Sequence, residues 1–149
     1  MRLHDTIIAS GFVLCALSAT APADTTNAGI LGTWKTPKHD GKVVISECGA
    51  AICGHVIDGR ELRANPNQND IHNPDPVKRE RKILGMNILE GYTGGPTKWS
   101  GGTVYDPQTG DSSNDSTLIL ESPNALLVKG CRMVFCRSET WTKIASSGQ

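Results

Sequence analysis

The sequence predicts an all-β fold, a single eight-stranded antiparallel up-and-down barrel. The chain of 149 residues contains 16 Gly and 8 Pro, a composition typical of short strands joined by many turns. No segment carries the 3.6-residue apolar period of a long amphipathic helix, which argues against βαβ folds. Eight short apolar runs follow one another with turn signals between them, and this pattern fits an up-and-down barrel or a sandwich.

The strands can be placed from these runs and from the turns that separate them. The expected strands are residues 32–36, 42–48, 53–57, 83–92, 98–106, 117–121, 125–131 and 135–144. Asp40-Gly41 and Asp58-Gly59 mark turns. The polar segment from residue 60 to about residue 82 has no apolar period, so we expect a long loop between strands 3 and 4 with at most one helical turn.

The first 23 residues are expected to be a secretory signal peptide. Arg2 gives a positive start, and the apolar run at residues 7–17 is shorter than the roughly 20 residues that span a bilayer. Small residues at Ala21 and Ala23 predict cleavage before Asp24; a retained anchor is the alternative. Residues 24–149 would then form one periplasmic or secreted domain without a transmembrane segment.

Four cysteines follow this segment, in two C-x4-C units: Cys48 with Cys53, and Cys131 with Cys136. An even count in an exported domain indicates two disulfides, whereas structural zinc sites usually use the tighter C-x2-C spacing. Each unit links the end of one strand to the start of the next, so a four-residue turn would place its cysteines opposite each other. Local pairs are therefore expected. Even if both hairpin tips lie on the same rim, the strands between them oppose crossed pairing.

The composition argues against several classes of function. Lys and Arg total 15 and Asp and Glu total 15. The chain therefore lacks the basic excess that is typical of a nucleic-acid binder. The histidines at His39, His55 and His72 have no metal-binding or catalytic spacing, and no pair of carboxylates stands out. We therefore expect no catalytic residue, no metal and no cofactor, and a protein that is not an enzyme.

An ordered set of motifs resembles the DUF2147 family of small exported bacterial proteins. In chain order the motifs are Gly32-Thr33-Trp34, ISECGAAICG at 45–54, NPDP at 73–76, RERKILG at 79–85, WSGGTVYDP at 99–107 with Gly110, Gly130-Cys131, and CRSETWT at 136–142. The resemblance covers essentially the whole mature chain and implies a lipocalin-like β-barrel. The chain departs from the family at Ser112-Ser113, where relatives usually carry Thr-Tyr.

The lipocalin resemblance implies a role for the early G-x-W motif. It is expected to place Trp34 at one end of the barrel, with a basic side chain of the last strand, Arg137 or Lys143, stacked on the indole. The alternative is that the tryptophans simply fill the core. Trp34 and Trp99 are also candidate ligand contacts.

The most distinctive polar stretch is residues 70–82, which includes Arg79 and Arg81. If the chain is extended there, both arginines share a face and are candidates to bind an anionic ligand at the barrel mouth through bidentate hydrogen bonds. The alternative is a charged loop that pairs with Asp70 or Asp75 and keeps the strand entry soluble.

The function depends on the barrel interior. An eight-stranded barrel is just wide enough to be filled by side chains or to hold one small ligand. A cavity of roughly 300 Å³ or more would favour an exported, non-enzymatic barrel that binds a small apolar or amphipathic molecule in the cell envelope. A filled interior with an exposed apolar patch would favour a module that docks an envelope protein. An enzyme with an unrecognised site is the third interpretation.

Overall fold

The computed structural model describes residues 27–145, which form a closed antiparallel barrel of eight strands in sequence order. The strands are β1 (Gly32–Lys35), β2 (Lys42–Cys48), β3 (Ala51–Asp58), β4 (Asn87–Gly94), β5 (Lys98–Asp106), β6 (Asp111–Ser122), β7 (Ala125–Arg132) and β8 (Phe135–Lys143). Pairing of β8 with β1 closes the barrel. The predicted up-and-down barrel is confirmed. The predicted signal peptide and the cleavage site before Asp24 lie outside the described residues.

Side chains alternate between the barrel interior and the outer face, as strand geometry requires. Val43 and Ile45 on β2 are buried while their neighbours are only partly buried. Gly54 on β3 faces inward as well, and a Cβ added there would lie 2.9 Å from a Leu89 methyl carbon. A larger residue at this position would therefore force the Leu89 and Val43 side chains to shift.

The interior is filled with large side chains at one end, which we call the closed end. The residues that fill it are fully or almost fully buried: Trp34, Ile45, Ile52, Tyr92, Trp99, Leu118 and Leu126. The Trp34 indole donates to the Ile30 carbonyl at 2.8 Å, and the Trp99 indole donates to Asn27 Oδ1 at 2.8 Å. The segment before β1 thus satisfies both buried N–H groups, and the predicted burial of Trp34 near one end is confirmed.

Both predicted disulfides are local, Cys48–Cys53 and Cys131–Cys136. The turns contain two residues rather than the expected four, because the β7–β8 ladder continues to Arg132 and Phe135 and β3 begins at Ala51, two residues before Cys53. Cys131 lies directly opposite Cys136, with Cα atoms 4.0 Å apart. Cys48 instead lies opposite Ala51, and its disulfide reaches Cys53 diagonally over a Cα distance of 5.8 Å.

The two disulfides lie at opposite ends of the barrel. In an up-and-down barrel the connections after odd-numbered strands gather at one end and those after even-numbered strands at the other. The β2–β3 turn is therefore at the closed end, and the β7–β8 turn is at the other end. The idea of a shared rim is wrong, and crossed pairing would have to span the length of the barrel.

Three strand starts differ from the sequence prediction. β3 begins at Ala51 instead of residue 53, and β6 begins at Asp111 instead of residue 117, because polar residues also take part in the ladder with β5. β4 begins only at Asn87. A turn closed by the Met86 N–H and the Ile83 carbonyl precedes it, with Gly85 at a φ of +82°.

The long connection between β3 and β4 is more structured than predicted. It contains a short helix, α1 (Arg60–Ala64), and a 3₁₀ helix (Pro76–Glu80). An isolated bridge between Asn69 and Lys82 holds its two arms together. Because this connection follows an odd-numbered strand, it lies at the end opposite the closed end.

Candidate ligand cavity

A cavity of about 530 Å³ occupies the other half of the barrel, at the end that carries the connections after β1, β3, β5 and β7. We call this the open end. The apolar side chains that line it come from the strands, from the β3–β4 connection and from the β5–β6 and β7–β8 turns: Val43, Val56, Leu62, Ile83, Ile88, Val104, Pro107, Val128, Met133, Phe135 and Trp141. The apolar part of the wall is therefore mainly aliphatic, with Phe135 and the Trp141 indole.

Small residues on β6 and β7 leave space in the open half. Gly130 and Val128 on β7 and Ser113 on β6 line the cavity, whereas Tyr92, Trp34 and Trp99 fill the closed half. The Ser113 hydroxyl donates to the Cys131 carbonyl at 2.5 Å, which satisfies it without filling the space. Ser113, where the family resemblance implies an aromatic residue, thus lies on the cavity wall.

The mouth carries charged residues that mostly pair with one another. Among the pairs that line it are Lys42 with Asp58 at 2.8 Å, His39 with Glu61 at 3.0 Å, and Arg132 with Asp111 at 3.2 Å. Hydrogen bonding from Lys42 is the main cause that lowers the pKa of Asp58. Hydrogen bonding from His39 is likewise the main cause that lowers the pKa of Glu61. These carboxylates are therefore ionised near neutral pH.

The β1–β2 connection is tied to β3 and α1 beside the mouth. Arg63 bridges Asp40 at 2.6 Å and Asp58 at 3.0 Å, and Lys35 contacts Asp40 at 2.7 Å. Hydrogen bonds from Lys35 and then Arg63 lower the pKa of Asp40 to about 2. The network fixes the position of the connection that borders the cavity.

β8 contributes a row of cavity-lining side chains at every second residue: Phe135, Arg137, Glu139 and Trp141. The Trp141 indole is 2% exposed and donates to Glu139 Oε1 at 2.6 Å. Lys38 lies 3.8 Å from the other oxygen of Glu139. Arg137 has no hydrogen-bond or ion-pair partner among residues 27–145 for its side chain. This row therefore contributes both aromatic and charged side chains to the cavity wall.

None of the four ligand contacts predicted from the sequence lines this cavity within the described part of the chain. Trp34 and Trp99 lie in the filled closed half. The predicted stacking on Trp34 is confirmed for one of the two candidates, since Lys143 Nζ lies 5.1 Å from the centroid of the Trp34 ring. Arg137 lines the cavity instead.

Arg79 and Arg81 bind within the β3–β4 connection. Arg79 Nε donates to the Asn73 carbonyl at 2.8 Å, and Arg81 donates to Asp70 Oδ2 at 2.8 Å. Arg81 also borders a smaller hollow of about 270 Å³ outside the barrel. The pairing of this charged stretch with Asp70 is observed, and ligand binding by the two arginines stays a prediction.

Asp70 is the buried centre of this connection. It is fully buried and accepts from the Tyr105 hydroxyl at 2.5 Å and from Asn73 Nδ2 at 2.8 Å, besides Arg81. Burial, together with hydrogen bonding to Asp70, raises the pKa of Tyr105 to about 12. Tyr105 thus stays a neutral donor, and it links the connection to the cavity-lining end of β5.

No group of three or more His, Cys, Asp or Glu side chains in residues 27–145 could hold a metal ion. No helix in the same range is long and apolar enough to cross a membrane.

A closed eight-stranded barrel, filled at one end around a tryptophan of a G-x-W motif and hollow at the other, is a lipocalin-like fold. A solved structure with a similar fold is protein HP1028 from Helicobacter pylori, described as belonging to the lipocalin family. It matches with a TM-score of 0.67 at 18% identity, over 77% of this chain and 82% of that chain. At this identity the likeness concerns the fold.

The sequence pattern of one family matches residues 32–143, from β1 to the end of β8. The chain belongs to this family, described as "Uncharacterized protein conserved in bacteria (DUF2147)". The resemblance drawn from the motifs is confirmed. No curated protein matches the chain.

Proposed function

We propose that the protein is an exported, non-enzymatic barrel that binds one small apolar or amphipathic molecule in the cell envelope. The observation that carries this proposal is the cavity of about 530 Å³ in the open half of the barrel. Its volume lies within the range of roughly 300–1,000 Å³ that is usual for small-molecule sites. The alternative, a module that docks an envelope protein through a filled barrel, is less well supported because the open half is hollow.

The lining indicates the kind of ligand. The aliphatic residues and Trp141 offer apolar surface, and burial of ligand surface against them would contribute about 25 cal/mol per Å² before the costs of binding. Arg137 and Glu139 stand towards the mouth on the same strand face. An elongated molecule with an apolar body in the cavity and a polar end at the mouth would match this arrangement.

Export is the second part of the proposal. The two disulfides fit an oxidising compartment, and residues 1–23 have the pattern of a signal peptide. The mature chain would begin at Asp24 and act in the periplasm or after secretion.

A pair of variants on one strand tests the ligand site. Val128 faces the cavity and is 4% exposed, whereas its neighbour Leu127 faces outward and is partly exposed. Val128→Phe would place a ring in the empty space, and Leu127→Phe would add the same ring outside the barrel. The fluorescent probe 1-anilinonaphthalene-8-sulfonate, which is itself amphipathic, reports binding.

We expect Val128→Phe to weaken probe binding about tenfold or more, because the ring occupies volume that the probe needs. Leu127→Phe should bind as the unmodified protein does. Circular dichroism and the thermal midpoint establish that both variants fold. Equal probe binding by the two variants, with both folded, would contradict a ligand site inside the barrel.

A further inference from the structure

Three consecutive large apolar residues at the β7–β8 turn are almost fully exposed. Met133 is 95% exposed, Val134 84% and Phe135 78%. We call these three residues the apolar tip. Single apolar residues on a surface are ordinary, but contiguous ones often mark a site of contact with another protein or with a membrane.

The exposure does not arise from a loose loop. Arg132 pairs with Phe135 and Cys131 pairs with Cys136, so the ladder runs up to a two-residue turn. The Cys131–Cys136 disulfide crosses the hairpin one residue pair below the turn. The apolar tip is therefore held at the open end as a fixed, convex projection.

Basic residues flank the apolar tip on both strands of its own hairpin, whereas the carboxylates of the open end lie on other elements and at Glu139 further along β8. Lys129, Arg132 and Arg137, which we call the cationic collar, flank it, and no acidic residue occurs between positions 129 and 138. Arg132 contacts Asp111 at 3.2 Å, and both side chains are exposed. Lys129 and Arg137 have no carboxylate partner for their side chains among residues 27–145. The hairpin thus carries apolar side chains at its turn and basic side chains on the strand residues near the turn.

The size of the apolar tip indicates which kind of partner fits. A stable protein–protein interface buries about 800 Å² on each partner, far more than three side chains at a convex turn can supply. A lipid bilayer needs no complementary shape, and apolar groups with adjacent Lys and Arg are the usual means of binding an anionic membrane surface.

We propose that the apolar tip inserts into the surface of an anionic lipid bilayer while the cationic collar contacts the headgroups. Along a strand of about 3.3 Å per residue, Arg132 and Arg137 lie within about 7 Å of the apolar tip, and Lys129 about 13 Å behind it. Insertion to the usual depth of about 5–10 Å would bring the two arginines to the level of the phosphates.

Docking in this orientation also has a consequence for the cavity. Met133 and Phe135 belong both to the apolar tip and to the cavity lining, so the mouth would face the lipid surface. An amphipathic molecule could then pass between bilayer and barrel with little exposure to water. The docking itself goes beyond the ligand-binding proposal and holds whether or not the cavity is occupied.

Vesicle flotation with the mature protein tests the proposal. One set of vesicles contains equal parts phosphatidylcholine and phosphatidylglycerol, and the other contains phosphatidylcholine alone. The main variant replaces Met133, Val134 and Phe135 by Ser. A matched control replaces Ile71 and Val77 by Ser, since these are also exposed apolar residues, at 61% and 84%, but lie on the β3–β4 connection. A charge variant combines Lys129→Gln with Arg137→Gln.

We expect the unmodified protein and the control to float with the anionic vesicles and much less with phosphatidylcholine. The triple Ser variant should lose about tenfold or more in bound fraction. The charge variant should bind the anionic vesicles more weakly than the unmodified protein in low salt, where the cationic collar attracts the headgroups most strongly. Folding of each variant is checked by circular dichroism.

Several results would overturn the proposal. One is absence of vesicle binding by the unmodified protein, and another is equal binding by the triple Ser variant. Binding to phosphatidylcholine as strong as to the anionic vesicles would remove the role of the collar. Self-association in size-exclusion chromatography that disappears in the triple Ser variant, without vesicle binding, would assign the apolar tip to contact with a second copy.

Discussion

The contact between Lys143 and Trp34 shows how strand register selects one side chain from several candidates. Trp34 and Lys143 lie directly opposite each other in the β1–β8 ladder. Lys143 Nζ is 5.1 Å from the ring centroid and donates to the Gly29 carbonyl at 2.7 Å. Partial burial lowers the pKa of Lys143. Arg137 is six residues away along β8, so it reaches the cavity and not the indole.

Lys143→Met should lower the free energy of unfolding by about 1–3 kcal/mol, because it removes a cation–π contact and one hydrogen bond but keeps an apolar stem of similar length. Urea unfolding measures the change. Lys129→Met serves as the control, since Lys129 is exposed on β7 without a carboxylate partner among the described residues, and should change stability by less than about 0.5 kcal/mol. Equal effects of the two substitutions would show that the Trp34 contact contributes nothing.

The β3–β4 connection is an element in which long-range contacts override the local sequence pattern. Its polar, aperiodic sequence predicts a loop, but a buried Asp70 organises it through partners up to 35 residues away. Arg79 lies in the 3₁₀ helix, which begins at Pro76 and is capped by Asp75, so the extended chain that would place Arg79 and Arg81 on one strand face is not present. The sequence offers Asp70 as an ion-pair partner of the charged stretch, but its full burial and its Tyr105 partner carry no local signal.

Asp70→Asn should destabilise the protein by about 1–3 kcal/mol, because the amide replaces an accepting oxygen with a donor that faces Arg81 and Asn73. Hydrogen exchange of residues 66–82 should accelerate more than exchange of the strands. Asp115→Asn makes the same chemical change at an exposed position on β6 and should have little effect. Unchanged exchange in the Asp70 variant would indicate that Asp70 does not hold the connection.

At the scale of the whole molecule, turn residues, apolar runs and cysteine spacing predict eight consecutive strands and the disulfide pairs, because these features depend on local patterns. The same patterns fit a barrel or a sandwich, and the family resemblance, which includes the G-x-W motif, favours the barrel. Whether the interior is filled depends on which side chains point inward, and register shifts around Ser100, Gly102 and Val104 interrupt the alternation along β5. The contrast between Trp99 at one end and Ser113 and Gly130 at the other therefore becomes visible only in three dimensions.

The cavity residues on β8 could have been found from the sequence. Phe135, Arg137, Glu139 and Trp141 recur at every second position of a predicted strand, which places them on one face. The pattern does not show whether this row points into the barrel or outward, because a row with Arg and Glu is also typical of an outer surface. The β1–β8 register answers this question. It places Lys143 opposite the inward-facing Trp34, and the row lies on the same face of β8 as Lys143.

The central claim is that the open half of the barrel holds a small molecule. Native mass spectrometry of the protein purified from its own cell envelope tests it most directly. The account predicts a mass excess equal to one bound small molecule in the unmodified protein and in Leu127→Phe, and none in Val128→Phe. A spectrum of the unmodified protein at the polypeptide mass alone, or a mass excess that survives in Val128→Phe, would contradict the claim.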